Sequence, residues 1–246
     1  MRIGAAVTLL TAALFVAPAC GVGGVPQYEY EEVVHVSLDG SARVYVNASV
    51  AALNALRGTS FDTSASAKID PEAIRDLYAS SVTHVVGTPK LSRRGGRTFV
   101  HVGLDVYHVQ QLEHTPPFAW SSYDLSQDGD LYLYRQRVEA PSAKAVGAIG
   151  WTGQELVAFR VRMPSTIVSH NTGSDRPRRG NILVWEQPLT DRLRGEPVQI
   201  EARIERSSIL FGTLLVFGGS ALSVAVTIGL VLWWLFRRRR VAATRP

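Results

Sequence analysis

The sequence predicts an α+β domain, with a curved antiparallel sheet and two or three short helices, followed by one C-terminal transmembrane helix. Three observations carry this prediction. Short runs in which apolar and polar residues alternate predict strands with one buried and one solvated face. Capping residues mark two short helices between these runs. Near the carboxyl end, 28 consecutive residues carry no charge and are followed by four arginines.

The domain is predicted to open with a β-hairpin. Its first strand, from Tyr28 to Leu38, is rich in β-forming residues, although Glu32 interrupts the apolar alternation. The second strand, from Ala42 to Ala48, alternates strictly. Between them, Asp39-Gly40 is a dipeptide that adopts positive φ at low cost and closes tight hairpins.

Two short helices follow the hairpin. Ser49 can cap a helix that runs to Leu56, because a serine side chain accepts a hydrogen bond from a free N–H of the first turn, and Gly58 stands just past the helix end. Asp70-Pro71 predicts the start of the second helix, since aspartate caps well and proline tolerates the first helical position. The polar stretch between the two helices predicts a loop.

The rest of the domain is predicted to be mostly strand. The predicted strands cover residues 82–86, 98–106, 131–138, 155–163, 181–187 and 198–206. Turns are expected at Ser92–Arg97 and at Asp128-Gly129, and a third short helix is expected over 106–113. Together with the hairpin, this gives roughly seven to nine strands in a curved sheet.

The uncharged run Ile209–Phe236 predicts a membrane-spanning helix. At about 1.5 Å per residue it covers roughly 42 Å, more than the roughly 30 Å of a bilayer's hydrocarbon core. Arginines do not cross a bilayer cheaply, so the block after the run marks the cytoplasmic side and leaves the domain outside. The predicted interfacial anchors of this helix are Trp233, Trp234, Arg237, Arg238, Arg239 and Arg240.

The amino-terminal residues predict a secretory signal peptide. A positively charged start, the apolar run Ile3–Val16 and small residues at an A-x-A site give its three parts. Cys20, the only cysteine, follows directly and resembles the acylated cysteine of a bacterial lipobox. Ordinary cleavage after Ala19 is the alternative, and in either case no disulfide forms within the chain.

The predicted organisation places one domain outside the bacterial cell membrane and the carboxyl terminus in the cytoplasm. The signal peptide, tether, extracytoplasmic domain, transmembrane helix and basic tail are predicted at residues 1–19, 20–26, 27–206, 209–236 and 237–246. The net charge of +5 belongs to the ends, because six of the 26 basic residues and none of the 21 acidic residues lie in the terminal segments. The domain itself is nearly neutral, which disfavours nucleic acid as a partner.

The sequence contains no motif for catalysis, metal binding or cofactor binding. The six histidines are scattered, without the short spacing of zinc ligands. The G-x-S-x-G element of serine hydrolases and the phosphate-binding glycine loop are both absent. Glu31 and Glu32 alternate to opposite faces of a strand and cannot share a site. We therefore expect no catalytic residue, no cofactor and no metal.

Two sets of residues are candidates for binding. Aromatic side chains that could line a ligand site, or else fill the core, are Phe118, Trp120, Tyr123, Tyr132, Tyr134, Trp151 and Trp185. Basic side chains that could contact anionic head groups, or else form solvated hairpin tips, are Arg93, Arg94, Arg97, Arg176, Arg178 and Arg179.

The layout resembles the LppM-like lipoproteins of mycobacteria and their wider bacterial relatives. The likeness is carried by Met163-Pro164-Ser165, by Asn171 and Gly173, and by the strand Gly180–Trp185. This resemblance implies a helix-grip-like sheet that acts as a lipid-binding module, without catalytic residues.

The function predicted from the sequence is that of a single-pass membrane protein whose outer domain is a non-catalytic binding module. Its predicted partners are the membrane and a lipid or glycolipid, held against the curved sheet. An envelope protein that works through protein–protein contacts is the alternative, and an extracytoplasmic hydrolase ranks third.

Overall fold

The computed structural model describes residues 26–141, 149–172 and 181–242, apart from the side chains at 208–212 and 234–242. Within these ranges the chain forms an α+β domain of two sheets, followed by one long helix. The predicted fold class is confirmed.

The described residues form eleven strands. They are β1 (Tyr28–Val36), β2 (Ala42–Ser49), β3 (Thr83–Val85), β4 (Lys90–Arg94), β5 (Arg97–Val106), β6 (Ser121–Asp128), β7 (Leu131–Val138), β8 (Leu156–Arg162), β9 (Ser165–His170), β10 (Ile182–Pro188) and β11 (Val198–Ser208). The α-helices are α1 (Val50–Arg57), α2 (Pro71–Tyr78), α3 (Leu189–Leu193) and α4 (Ile209–Ala242). Short 3₁₀ helices cover Val109–His114 and Pro116–Phe118.

The strands form two mostly antiparallel sheets. Sheet A contains seven strands in the order β10-β8-β1-β2-β5-β3, with β4 also beside β5. Sheet B contains four strands in the order β6-β7-β11-β9. Within sheet A, β1 and β8 run parallel, and parallel strands need a long crossover connection instead of a hairpin. Part of this connection forms β6 and β7 of sheet B, before the chain returns to sheet A as β8. The structure thus refines the predicted curved sheet into two sheets, of which sheet A is mixed.

The first hairpin and helix agree with their local sequence signals. The turn between β1 and β2 contains Gly40 with φ of 84°, a conformation that glycine adopts without steric cost. The Oγ of Ser49 accepts a hydrogen bond from the Ala52 N–H at 3.0 Å and so caps α1. Gly58 ends α1 in the left-handed conformation, with φ of 68°. Both predicted caps are confirmed.

The second helix is capped by an exposed side chain, which makes the cap testable. The Oδ1 of Asp70 accepts a hydrogen bond from the Glu72 N–H at 2.9 Å. Replacing the cap as Asp70→Ala is expected to lower the free energy of unfolding by about 0.5–2 kcal/mol, measured by urea unfolding of the full-length protein in detergent micelles. Asp76→Ala is the matched control, because Asp76 is exposed on the same helix and caps nothing. Equal losses for the two variants would contradict the capping role of Asp70.

The structure adds four elements that the sequence pattern did not predict. They are the strands β4, β6 and β9 and the helix α3. β4 extends the expected turn at Ser92–Arg97 into a hairpin with β5, and only Gly95 and Gly96 at its tip have positive φ. The stretch with Phe118 and Trp120 is a 3₁₀ turn that leads into β6, and Tyr123 lies in β6 itself. The expected helix over 106–113 is the 3₁₀ helix Val109–His114.

The core lies between the sheets and under the first two helices. Helix α1 is buried from Val50 to Leu56, since its residues are almost all apolar. The inward rows of β1, β2, β5 and β8 are mostly valine, which packs well on a pleated surface. Glu32 is the exception, a carboxylate with no exposed surface in the middle of these apolar rows.

Candidate functional site: a buried ion pair between two sheets

Four of the seven predicted aromatic residues meet in one place. Phe118, Trp120, Tyr123 and Tyr134 are all buried in the core. The ring of Trp120 lies edge-on to the ring of Tyr30, with centroids 5.6 Å apart. Burial of this kind agrees with core filling, and a role of these rings in ligand binding stays a prediction.

The other three predicted aromatic residues lie apart from this group. The indole N–H of Trp151 donates to Glu29 at 3.2 Å, and that of Trp185 donates to Asn171 at 3.1 Å. Tyr132 shares a face of β7 with Tyr134, but it is only partly buried. The structure therefore does not bring all seven rings to a single site.

The centre of the aromatic group is the carboxylate of Glu32, which is not among the site residues predicted from the sequence. The Oε1 of Glu32 accepts hydrogen bonds from the hydroxyl of Tyr123 at 2.8 Å and from the amide of Gln136 at 2.9 Å. Its Oε2 accepts from the hydroxyl of Tyr30 at 3.1 Å and from a guanidinium N–H of Arg57 at 3.3 Å. Four donors match the roughly four lone-pair positions of a carboxylate.

The Glu32 carboxylate joins three separate parts of the fold. Glu32 belongs to β1 of sheet A, whereas Tyr123 and Gln136 belong to β6 and β7 of sheet B. Arg57 comes from the last position of α1. The ion pair is therefore placed to fix sheet B and helix α1 against the same face of sheet A. Because every lone pair of Glu32 is used and the group is buried, it is poorly suited to act as a general base.

Arg57 is held by aromatic rings as well as by Glu32. Its guanidinium carbon lies 3.5 Å from the centroid of the Trp120 ring and 4.7 Å from that of Tyr30. Two of its nitrogens, Nε and Nη1, have no hydrogen-bond partner within the described part of the chain. Cation–π attraction to these ring faces offsets part of the cost of burying the charge.

A second buried arginine, Arg192, lies close to the group. Arg192 of α3 donates to the carbonyl oxygens of Val138 and Glu139, at 3.3 and 2.7 Å. Its guanidinium carbon lies 5.4 Å from the Trp120 ring centroid. Burial, and then the nearby Arg57 charge, lower the pKa of Arg192. Its hydrogen bonds link α3 to the end of β7.

The tyrosines of the group are held in their neutral form. Burial raises the pKa of Tyr30, Tyr123 and Tyr134 well above the usual tyrosine value. Burial also raises the pKa of Tyr78. Neutral hydroxyls keep the protons that Tyr30 and Tyr123 donate to Glu32, so these two hydrogen bonds persist while the tyrosines stay neutral.

One sequence signal could have identified this group. Glu32 occupies an inward position between Tyr30 and Val34, and a carboxylate in an apolar row demands a buried cation. Arg57 is the candidate for that cation, because it is the one charged residue of the otherwise almost wholly apolar helix α1. Glu31, by contrast, projects outward and pairs with Arg160 at 3.0 Å, so the prediction that the two neighbouring glutamates lie on opposite faces is confirmed.

The first predicted basic cluster is engaged with the domain. Arg97 pairs with the buried Glu29 at 2.9 Å. The guanidinium of Arg94 lies 4.3 Å from the Phe99 ring centroid. Arg93 donates to the Ala67 carbonyl at 3.5 Å. The second cluster, Arg176, Arg178 and Arg179, lies outside the described residues, as does Cys20, and contact of either cluster with head groups stays a prediction.

The final strand continues into α4 without a linker, since β11 ends at Ser208 and α4 begins at Ile209. The segment Thr213–Trp233 of α4 has 21 residues and a mean hydropathy of 2.2, and is long and apolar enough to cross a membrane. Positions 234 and 237–240 continue the helix. The prediction of one apolar C-terminal helix is confirmed.

The junction defines an α4 end of the domain. Ser165 pairs with Ser208, and its hydroxyl donates to the carbonyl oxygens of two β11 residues at 2.6 Å. Because Arg162 precedes Ser165 by three residues, β8 ends at the α4 end. The Arg94 side chain donates to the carbonyl oxygen of Tyr28, and Tyr28 pairs with the first residue of β8. The first and last residues of a strand as long as β8 are roughly 20 Å apart. The first basic cluster therefore lies at the opposite end of sheet A.

Comparison with known proteins gives a weak likeness of fold. No family model matches the chain, and no curated protein matches it. Among solved structures, the chain is similar to the folded domain of Mycobacterium tuberculosis LppM, determined by NMR, with 14% sequence identity and a TM-score of 0.40. The match covers 76% of this chain and 96% of that one. The weak resemblance predicted from the sequence is confirmed at this level, and no functional conclusion rests on it.

Proposed function

We propose that this protein is a single-pass membrane protein whose outer domain is a non-catalytic binding module for a lipid or glycolipid at the bilayer surface. The direct connection from β11 to α4 carries the proposal, because it joins the end of sheet B to the apolar helix with no linker between them. A module held so close meets lipid head groups continuously, whereas a domain on a long stalk does not.

The orientation proposed for the chain follows from the arginine block. Arg237 and its three successors stay in the cytoplasm, and the two-sheet domain lies on the outer side of the bacterial cell membrane. The buried ion pair supports a non-catalytic role, since the carboxylate at the centre of the domain has all its acceptor positions filled.

The anchor is tested by charging the middle of α4. Ala221→Arg together with Ala225→Arg is expected to release the protein from the membrane fraction, because each arginine at a helix centre costs about 2.5–3.5 kcal/mol of insertion energy. The matched control is Ala221→Leu with Ala225→Leu, which should stay in the membrane pellet after an alkaline wash. Retention of the arginine variant in that pellet would argue against a transmembrane role for α4.

The binding function is tested on the intact protein extracted in mild detergent. Mass spectrometry is expected to find a lipid or glycolipid enriched over its share of the surrounding membrane, at near-stoichiometric amount. Lipid in bulk proportions, combined with crosslinking to one envelope protein, would instead favour the protein–protein alternative.

The proposed orientation is tested by a reporter fused after Pro246, which should be active only in the cytoplasm.

A further inference from the structure

The α4 end of sheet A carries a row of polar side chains on its outer face. Arg162 of β8 pairs with His35 of β1, and His35 pairs with Arg43 of β2. Asp105 of β5 continues the row beyond Arg43. Directly paired residues on neighbouring strands project to the same face, so these four side chains leave the sheet together.

A cleft of about 420 Å³ opens at this row. The ring of Tyr45 stands beside His35, with ring centroids 5.3 Å apart. Met163 and Pro164, which lead from β8 into sheet B, form another part of its lining. The cleft is therefore bounded by both the outer face of sheet A and the segment that connects the two sheets.

The cleft has a surplus of positive charge. Arg43 pairs with Asp105 at 2.7 Å, and both side chains are about half exposed, at 51% and 46%. Asp105 is the one carboxylate among the residues that line the cleft. Arg162 is exposed, and its side chain makes no hydrogen bond or ion pair with any residue that the structure describes. The guanidinium of Arg162 is thus available to a ligand, and it lies near that of Arg43, whose partner Asp105 is half exposed to solvent.

The two arginines flank the same imidazole. Partial burial, and then the charges of Arg162 and Arg43, lower the pKa of His35. Since neighbouring strands lie about 4.8 Å apart, the two arginine backbones are separated by roughly 10 Å across β1. Long side chains that rise from such positions can reach one group bound between them, above the histidine.

The cleft lies close to the start of α4. Three extended residues span at most about 11 Å, and paired strand residues lie about 5 Å apart. The Cα atom of Arg162 is therefore within roughly 16 Å of the Cα atom of Ser208, through the pairing of Ser165. The Arg93, Arg94 and Arg97 cluster lies at the other end of the sheet.

We propose that this cleft binds the phosphate of an anionic phospholipid head group in the bilayer that holds α4. The proposal rests on the membrane-anchored function proposed above and assigns its ligand contacts to Arg43 and Arg162. A guanidinium presents paired N–H donors that match phosphate oxygens, which makes arginine well suited to this contact. Arg162 supplies a guanidinium that has no partner among the described residues, and Arg43 shares its donors between Asp105 and the phosphate.

The test uses the full-length protein in detergent micelles and native mass spectrometry with phosphatidylglycerol as the probe. Arg43→Gln with Arg162→Gln is expected to weaken binding about 25-fold, at about fivefold per basic group. Arg162→Gln alone should weaken it about fivefold. The matched control, Lys68→Gln with Lys90→Gln, removes the same charge from two exposed side chains that do not line the cleft and should bind like the wild type.

The outcomes separate this proposal from the binding function itself. Unchanged phosphatidylglycerol binding by Arg162→Gln, or an equal loss in both double variants, would overturn the proposed cleft. Competition by an equal concentration of free glycerol phosphate would assign the cleft to a soluble phosphate compound and overturn the lipid assignment. If the wild type carries a neutral lipid that is indifferent to these arginines, the binding function stands and only the cleft is wrong.

Discussion

Glu32→Gln is expected to lower the free energy of unfolding by about 3–5 kcal/mol, which is a large part of the stability of an ordinary domain. The substitution removes the charge that balances Arg57 in the core, and a buried unpaired guanidinium is costly. Arg57→Met should cost a similar amount, because Glu32 then keeps only neutral donors. Urea unfolding of the full-length protein in micelles, followed by tryptophan fluorescence, measures both effects.

An exposed ion pair in the same sheet provides the control. Arg43 and Asp105 lie 2.7 Å apart with half-exposed side chains, so Arg43→Met should cost at most about 1 kcal/mol. The double variant Glu32→Gln/Arg57→Met is expected to lose less than the sum of its parts, since the two residues are coupled. If the buried variants lost no more stability than Arg43→Met, Glu32 would not hold the sheets together.

A steep loss of stability is expected as the pH rises above about 10, the usual pKa of tyrosine. Burial raises the pKa of four tyrosines, Tyr30, Tyr78, Tyr123 and Tyr134, in the folded protein. Above pH 10 the unfolded chain releases these protons while the folded chain keeps them. The stabilisation is therefore complete below the unfolded pKa and declines as the pH approaches the folded pKa, by about 1.4 kcal/mol per pH unit for each group.

The slope of stability against pH distinguishes this effect from general alkaline damage. Four groups that release protons together give a slope of about 5 kcal/mol per pH unit. Tyr123→Phe should reduce that slope by about 1.4 kcal/mol per pH unit, whatever it does to stability at neutral pH. Tyr107→Phe is the matched control, because Tyr107 is 66% exposed and lies outside the core. An unaltered slope in Tyr123→Phe would contradict the role assigned to the buried hydroxyls.

Elements with a strong local signal could be predicted from the sequence. The Asp39-Gly40 turn, the Ser49 cap and the Asp70-Pro71 start each depend on residues close in the chain. The uncharged run before the four arginines is equally local, and α4 contains it. Such elements form where the sequence places them because few long-range contacts are needed to decide their conformation.

The missed strands lack that signal. All five residues of β4 are exposed, so no apolar alternation marks it, and its pairing with β5 alone makes it a strand. β6 carries serine, aspartate and glutamine on most positions, and only Tyr123 and Leu125 among its apolar residues face the core. In both cases hydrogen bonds to a neighbouring strand stabilise the extended conformation, and such long-range pairing cannot be recognised from the local sequence pattern.

The buried ion pair was missed for a different reason. Glu32 lies 91 residues from Tyr123 and 104 residues from Gln136, so only the folded arrangement of two sheets brings the donors together. The row at the α4 end is similar, since Arg162 and Arg43 become near neighbours only through the parallel pairing of β1 and β8. The sequence did indicate Arg93, Arg94 and Arg97 as candidate head-group contacts, but the direction of the strands places them at the end of sheet A that lies away from α4.

The parallel pairing of β1 with β8 has a consequence for the folding of the nascent chain. The partner of Tyr28 is Leu156, so one edge of β1 remains bare until most of the chain has emerged. At about 5–20 residues per second, this interval lasts roughly 6–25 seconds. Bare strand edges recruit strands from other chains, and the nascent domain is most vulnerable to aggregation during that time.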